Sequence, residues 1–238
     1  MKGFSGFLAT IASILLIVGI FISTVQISVM DRNYYATQYR LMETSRITHI
    51  PHSDLMKATN QLLDYLAGKS DDANATVKIK NKERNIFRSR EMEHMTDVRD
   101  LYQNAMFLRN ICLLGAIGLY LFSLLAARHD RLTVISQGYM RAFIIIGIVI
   151  AALVIWMAID FQSFWNAFHH LLFRNDLWQL DADTSVMITM FPLAFWLVLC
   201  KRIALSVAVV CGGLLVLCIG YQIYRAYRKR TFLSVKEQ

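Results

Sequence analysis

Two histidines, His94 and His169, are the residues of this chain best suited to chemistry. Imidazole has an unperturbed pKa near 6.5, so it takes or gives a proton near neutral pH. Around His169 stand Phe161, Phe164, Trp165, Phe168, Phe173 and Trp178, and a ring-lined site poor in water favours the neutral imidazole that a general base must be. On a helix, His94 shares a face with Asp97 and Val98, and Glu91 lies one turn earlier. His170 would point about 100° away from its neighbour. His49 and His52 flank Pro51 in an expected turn, and His129 lies in a basic loop, so their claims are weaker.

Other chemistries have less support. Cys112, Cys200, Cys211 and Cys218 all fall within apolar stretches and read as small fillers, with no disulfide or metal spacing. There is no Gly-x-Ser-x-Gly elbow and no Ser-x-x-Lys pair, so nothing calls for a covalent acyl-enzyme. His94, Asp97, His169 and Asp183 form the one metal set worth weighing. Their spacing matches no standard zinc pattern, and neither a metal nor another cofactor is expected.

The elements that position these residues are those of a membrane protein. Of 238 residues, 56% are apolar and 18% charged, an excess too great for an ordinary soluble domain. Nearly uncharged windows, of about the 20 residues needed to cross a bilayer, occur at residues 7–29, 108–127, 142–159 and 203–224. The first exceeds a signal peptide's apolar core and lacks a small-x-small cleavage site, so it is expected to stay as an anchor. The stretch 186–200 is shorter and contains Pro192, with Lys201 and Arg202 beyond it. It reads as a surface or re-entrant segment.

Four crossings put both termini and the loop 128–141 on one side. Arg128, Arg131 and Arg141 in that loop, with Arg225, Arg228, Lys229, Arg230 and Lys236 in the tail, mark that side as cytoplasmic. The balance of 25 basic to 17 acidic residues therefore reports membrane sidedness, and no nucleic-acid partner is inferred. The expected fold class is mainly α, an integral membrane protein of four transmembrane helices with a mixed α/β extracytoplasmic cap. Its segments are a first transmembrane helix (1–29), the cap (30–106), a second helix (107–127), the cytoplasmic loop (128–141), a third helix (142–159), an aromatic interfacial segment outside (160–202), a fourth helix (203–224) and a basic cytoplasmic tail (225–238).

Within the cap, Ser53 is the expected cap of a helix carrying Leu55, Leu62, Leu63 and Leu66 on one face, and Gly68 its stop. Residues 76–80 alternate like an edge strand or ribbon, and 34–50 read as extended. From Ser89 a helical pattern runs without a breaker into the second crossing. The aromatic residues of 160–183 favour the headgroup layer.

The run Phe168-His169-His170-Leu171-Leu172-Phe173-Arg174-Asn175-Asp176-Leu177-Trp178, followed by Asp181, Asp183, Ile188 and Phe191-Pro192, resembles the signature of the bacterial lipoprotein intramolecular transacylase (Lit) family. So does Arg90-Glu91-Met92-Glu93-His94-Met95-Thr96-Asp97-Val98, although Leu193 stands where an acidic residue is expected after the proline. The resemblance implies a plasma-membrane acyltransferase of a Gram-positive bacterium, with its active site at the extracytoplasmic face. It would act on a diacylated lipoprotein in membrane lipid, moving the sn-2 acyl chain to the α-amino group of the N-terminal cysteine and giving the lyso form.

Ester and amine already share one molecule in such a substrate, so proximity does much of the work. What remains is to remove a proton from an amine of pKa about 7.7–8.0 and to stabilise an oxyanion. His94 and His169 would divide those tasks in an order the sequence leaves open, which requires the imidazoles to lie within about 8 Å of each other. Glu91 and Asp97 would fix an imidazole tautomer, with Asp183 as a further supporting acid. Asn175 would donate to substrate, and Trp178 would wall the acyl groove.

Two rival readings remain at this stage. One is a non-catalytic membrane protein with a lipid- or partner-binding outer domain, and the other a metal-dependent membrane hydrolase. For the threading itself, a tag at the C-terminus is expected to be protected in intact cells and accessible in inverted membrane vesicles; protease cleavage of the tag from outside would reverse it.

Overall fold

The computed structural model describes residues 2–79, 82–127, 130–181 and 184–236. Asp183, Lys80, Arg128 and His129, named above, lie outside the described residues. The described elements are α1 (Lys2–Val29), α2 (Arg32–Leu41), α3 (Thr44–Thr48), α4 (His52–Leu66), β1 (Thr76–Ile79), β2 (Lys82–Asn85), α5 (Ser89–Ala126), α6 (Arg131–Ile159), α7 (Phe161–Leu172), α8 (Val186–Met190) and α9 (Leu193–Lys236). Among the described residues, α1, α5, α6 and α9 are long and apolar enough to cross a membrane. The chain divides into two compact units, one of Met1–Thr24, Leu108–Ile159 and Ala204–Gln238, the other of Val25–Phe107 and Asp160–Ile203.

The described elements of the first unit are all helices. The unit packs through small residues: Ser5, Ala9, Ala12, Ser13, Ala116 and Ser123 are each at most 2% exposed. Lipid tails are as apolar as leucine, so close backbone approach and interhelical hydrogen bonds, rather than apolar burial, hold such helices together. Ser123 donates to the Ser5 carbonyl at 2.9 Å and Tyr139 to that of Cys211 at 2.8 Å. Gly138 faces Ala9 so closely that an added Cβ would stand 2.7 Å from the alanine Cβ and 2.8 Å from its backbone carbon. The outer surface is opposite in character, with Ile144, Ile148, Ile155, Leu205 and Leu217 exposed, a surface that suits hydrocarbon and not water. Cys112 and Cys211 are buried and all four cysteines are free.

α5 has 38 residues, about 57 Å at 1.5 Å per residue, well beyond a hydrocarbon core of about 30 Å. Its first part carries Arg90, Glu91, Glu93, Asp97, Arg99 and Asp100. Only the part beyond about residue 107 is apolar enough to span, and His94 stands outside that part.

The second unit has a core of its own. Tyr34, Tyr35, Gln38 and Tyr39 are buried on one side of α2, whose first turn is capped by the Asp31 side chain accepting from Asn33 N at 3.0 Å. Residues 34–50 are thus helical over α2 and α3, not extended. The aromatic content that favours strands yields to an i, i+1, i+4, i+5 burial pattern, since propensity is a weak prior against tertiary packing. These rings meet Phe191 and Phe195, with Tyr35 and Phe195 centroids 5.4 Å apart and Tyr34 Oη donating to the Phe195 carbonyl at 2.8 Å.

α4 opens at Pro51, one residue before His52 and without a side-chain cap. The proline's fixed φ sets the start and Ser53 lies inside the first turn. Its end is as read from the sequence: Gly68 at φ +73° donates to the Tyr65 carbonyl, and Lys69 to that of Asp64, the double bond of a Schellman cap. β1 and β2 form an antiparallel pair in register Thr76↔Asn85, held to α4 by Lys78 N donating to Asp54 Oδ2 at 2.8 Å.

The stretch 186–200 divides at Pro192. α8 ends before it, and α9 starts after it and continues through Lys201 and Arg202 without a break. A proline before the first turn sacrifices no helical hydrogen bond. Arg202 is tolerated because it meets Asp31 at 2.6 Å and lies over the Tyr34 ring at 5.4 Å.

Gly138→Ala is expected to lower stability by about 1–3 kcal/mol through overpacking, read as a lower thermal unfolding midpoint in detergent. Gly118→Ala, where an added Cβ meets nothing within 4 Å, is the neutral control. Equal midpoints for the two variants would show that the close approach carries no weight.

Candidate active site

The site is built within the second unit from the first turns of α5, the last turns of α7 and the segment that follows α7. α7 starts at Asp160, whose carboxyl accepts from Ser163 N at 3.0 Å. His169 is the buried residue of that helix, while Leu171 beside it is 83% exposed. A helix that hides its histidine and shows its leucine is set for an apolar exterior.

His94 and His169 come together, their ring centroids 6.5 Å apart and their exposures 8% and 6%. Phe173 touches both, at 5.2 Å from His94 and 5.8 Å from His169. Trp165 packs at 4.4 Å and Trp178 stacks at 4.7 Å on His169. His170 is exposed and meets the Trp178 ring edge-on at 5.1 Å. Rings thus enclose the imidazoles on several sides and exclude water.

Both imidazoles are held neutral. His94 is pushed down to about 4, first by burial and then by the neighbouring His169, against a smaller opposite pull from Asp97. His169 is also lowered, chiefly by burial, although its bond to the Trp165 carbonyl works the other way. That bond, 2.7 Å from His169 Nδ1, fixes the tautomer. A carbonyl only accepts, so Nδ1 carries the hydrogen and a neutral ring keeps its lone pair on Nε2. Two buried atoms at the site have no hydrogen-bond partner among the described residues, His94 Nδ1 and Trp178 Nε1. An unsatisfied buried donor or acceptor costs about 1–3 kcal/mol.

The remaining residues singled out in the sequence sit close by, in other roles. Glu91 is 2% exposed. One of its oxygens accepts from Arg88 N at 2.7 Å, closing the first turn of α5 as in a capping box. The other accepts from Ser185 Oγ at 2.5 Å and Met187 N at 3.0 Å. Its hydrogen bonds go to the backbone and a hydroxyl, where an imidazole contact was expected. Asn175 donates to Asp97 Oδ2 at 2.8 Å, and Asp97 acts on His94 through space.

Sequence reasoning passed over Ser185, the Trp165 carbonyl, Phe173 as the ring between the imidazoles, and Arg90, whose Nη2 donates to the Asp176 carbonyl at 2.6 Å. Signals existed for two of them. Ser185 caps α8, accepting from Ile188 N, and Trp165 precedes His169 by one helical turn. Among the described residues no group of three His, Cys, Asp or Glu is arranged to hold a metal ion.

The described fold is mainly helical, with four helices long and apolar enough to cross a membrane, and it brings two buried imidazoles together. Residues 10–196 match the family model of the lipoprotein intramolecular transacylase Lit, well over half of the chain, and the chain belongs to that family. It is a membrane transacylase. Among solved structures, that of the membrane-integral lipoprotein intramolecular transacylase Lit from Bacillus cereus is 19% identical, at a TM-score of 0.71, covering 97% of this chain and 100% of the other. Two structures of that enzyme with one histidine substituted are also similar. The arginine variant is 19% identical at a TM-score of 0.68, covering 98% and 95%, and the alanine variant 18% identical at 0.68, covering 96% and 96%. At this identity the likeness is one of fold. No curated protein matches the chain in sequence.

A depressed histidine pKa destabilises the fold in acid. The unfolded chain takes up protons below about pH 6.5, whereas folded His94 stays neutral until about pH 4, so stability is full above 6.5 and is lost as pH falls through that window. Unfolding midpoints measured from pH 8 to 5 are expected to fall less steeply in His94→Phe than in the parent. Parallel curves would show that His94 is not held neutral.

Proposed function

We propose that this enzyme moves the sn-2 acyl chain of a diacylglyceryl-modified lipoprotein to the α-amino group of its N-terminal cysteine, giving a lyso-form lipoprotein. The reading rests on one observation above all: two neutral imidazoles 6.5 Å apart in a ring-lined site, with His169 Nε2 left basic by the Trp165 carbonyl. His169 is the base. Its Nε2 takes the proton from the amine nitrogen as that nitrogen bonds to the acyl carbon, and returns it to the departing glyceryl oxygen. His94 donates a hydrogen bond to the ester and orients it.

No enzyme nucleophile is needed, since acyl donor and acceptor are tethered on one substrate and the attack is intramolecular. A dry wall of rings keeps water from competing for the ester. Glu91, Asp97 and Asn175 are positioning residues that hold the two helices' segments against each other, and Trp178 walls the site. The partners are the diacylated lipoprotein and the lipid around it. The site faces the extracytoplasmic side of the plasma membrane, a placement supported by the basic residues of the tail and of the loop between α5 and α6.

Expressed in a bacterium that otherwise makes only diacylated lipoproteins, the chain is expected to convert a reporter lipoprotein to the lyso form, read by lipopeptide mass spectrometry. His169→Ala is expected to lose at least about 100-fold in rate, the scale of a lost general base, at unchanged membrane abundance, and His94→Ala to be similarly impaired. Normal conversion by both variants would refute the assignment.

A further inference from the structure

We propose that Trp178 is a catalytic residue of this transacylation: its indole N–H donates a hydrogen bond to the carbonyl oxygen of the migrating acyl group. The inference rests on the reaction proposed above and adds the group that holds its oxyanion.

Among the described residues, three buried side-chain nitrogen or oxygen atoms lack a hydrogen-bond partner: Asn60 Oδ1, His94 Nδ1 and Trp178 Nε1. Two of the three belong to rings of the same small site. Buried donors in folded proteins are nearly always paired, and an exception calls for an explanation, a catalytic role among them. An indole N–H only donates, so what it awaits is an acceptor, and a carbonyl oxygen gathering negative charge is the strongest acceptor this reaction makes.

Several other polar groups of the site already have protein partners. Asn175 Nδ2 is on Asp97, the Ser185 hydroxyl and Met187 N–H are on Glu91, and His169 Nδ1 is on the Trp165 carbonyl. Trp178 is also held in place. Its ring stacks on His169 at 4.7 Å and 27°, and His170 packs against it at 90°. Its own carbonyl accepts from Leu180 N at 3.0 Å, and the preceding segment is tied to α5 through Arg90 and Asp97. A donor fixed before the charge appears needs no reorganisation when it does, which is the requirement for stabilising an oxyanion.

The step balances without another reactant. The amine lone pair forms the C–N bond, and the carbonyl π pair moves to the oxygen that Trp178 holds. When that pair returns, the C–O bond to glyceryl breaks, and the glyceryl oxygen leaves as a hydroxyl with the proton carried by His169. Ester and amine become amide and alcohol.

Trp178→Phe keeps a ring against His169 and removes only the N–H. With purified enzyme and a synthetic diacylglyceryl lipopeptide in detergent micelles, kcat is expected to fall about 100- to 1,000-fold with KM changed less than about threefold, as for a lost oxyanion-hole donor. The thermal midpoint is expected to be no lower than the parent's, since an unpaired donor has been removed. A kcat within about threefold of the parent overturns the proposal.

A second measurement does not depend on the variant's folding. The indole N–H resonance of Trp178 in the parent enzyme, identified by its loss from Trp178→Phe, is expected to move downfield when the N-acyl lyso-lipopeptide product is added. An unmoved resonance at saturation overturns the proposal as well. His169→Ala run in parallel separates the two failures: an inactive His169→Ala beside a fully active Trp178→Phe refutes the indole's role alone, and two fully active variants refute the reaction reading with it.

Discussion

A carboxyl group at 2% exposure, that of Glu91, is the constraint on which the site depends. Buried so deeply, it must find hydrogen-bond donors or cost the fold about 1–3 kcal/mol or more. It finds them on two stretches of chain almost a hundred residues apart, Arg88 N at the start of its own helix and Ser185 Oγ with Met187 N at the start of α8. Joining these draws the segment between α7 and α8 against the first turns of α5. Asn175 on Asp97 and Arg90 on the Asp176 carbonyl fasten the same segment further along. Trp178 follows at once, and its ring lies on His169. The residue that positions the imidazoles thus never touches one.

Within that frame, chemistry follows from the scarcity of water. Phe173, Trp165 and Trp178 take the places solvent would occupy, and both imidazoles lose their charged forms for the same reason, burial. A proton-accepting site gains from this because a neutral imidazole has a free lone pair. Which nitrogen holds it is decided by a single backbone carbonyl one helical turn before His169. The same dryness protects an ester from hydrolysis in the reading proposed above.

The two units solve different solvation problems. In the unit of long helices, small residues and hydroxyl-to-carbonyl bonds replace apolar burial as the cohesive force. The other unit has a conventional core of tyrosine, leucine, methionine and phenylalanine. Arg202 shows how the second unit admits charge inside a long apolar helix: it is paired with Asp31, the residue that also caps α2.

Much was legible in the residues alone. Hydropathy marked four helices able to cross a membrane, because every window of about 20 uncharged residues must satisfy its own backbone hydrogen bonds. Gly68 ended α4 as expected, and the recurrence of Met92, Met95, Val98, Leu101 and Tyr102 carried one helix from Ser89 onward. The two histidines stood out by type and surroundings. Residues 34–50 misled because their aromatic content favours strands, while the burial that makes them helical comes from Phe191 and Phe195, far along the chain. Lys201 and Arg202 read locally as a break, whereas the pairing of Arg202 with Asp31 lets the helix continue.

What the sequence by itself determined is whatever depends on neighbours within a few turns: span length, cap, stop and helical face. Tertiary structure alone decided that Glu91 binds Ser185, that Asn175 is engaged by Asp97, and that the two imidazoles meet beside Trp178. Such contacts join side chains 75 to 94 positions apart, and no local periodicity encodes which of many polar groups will share a buried space.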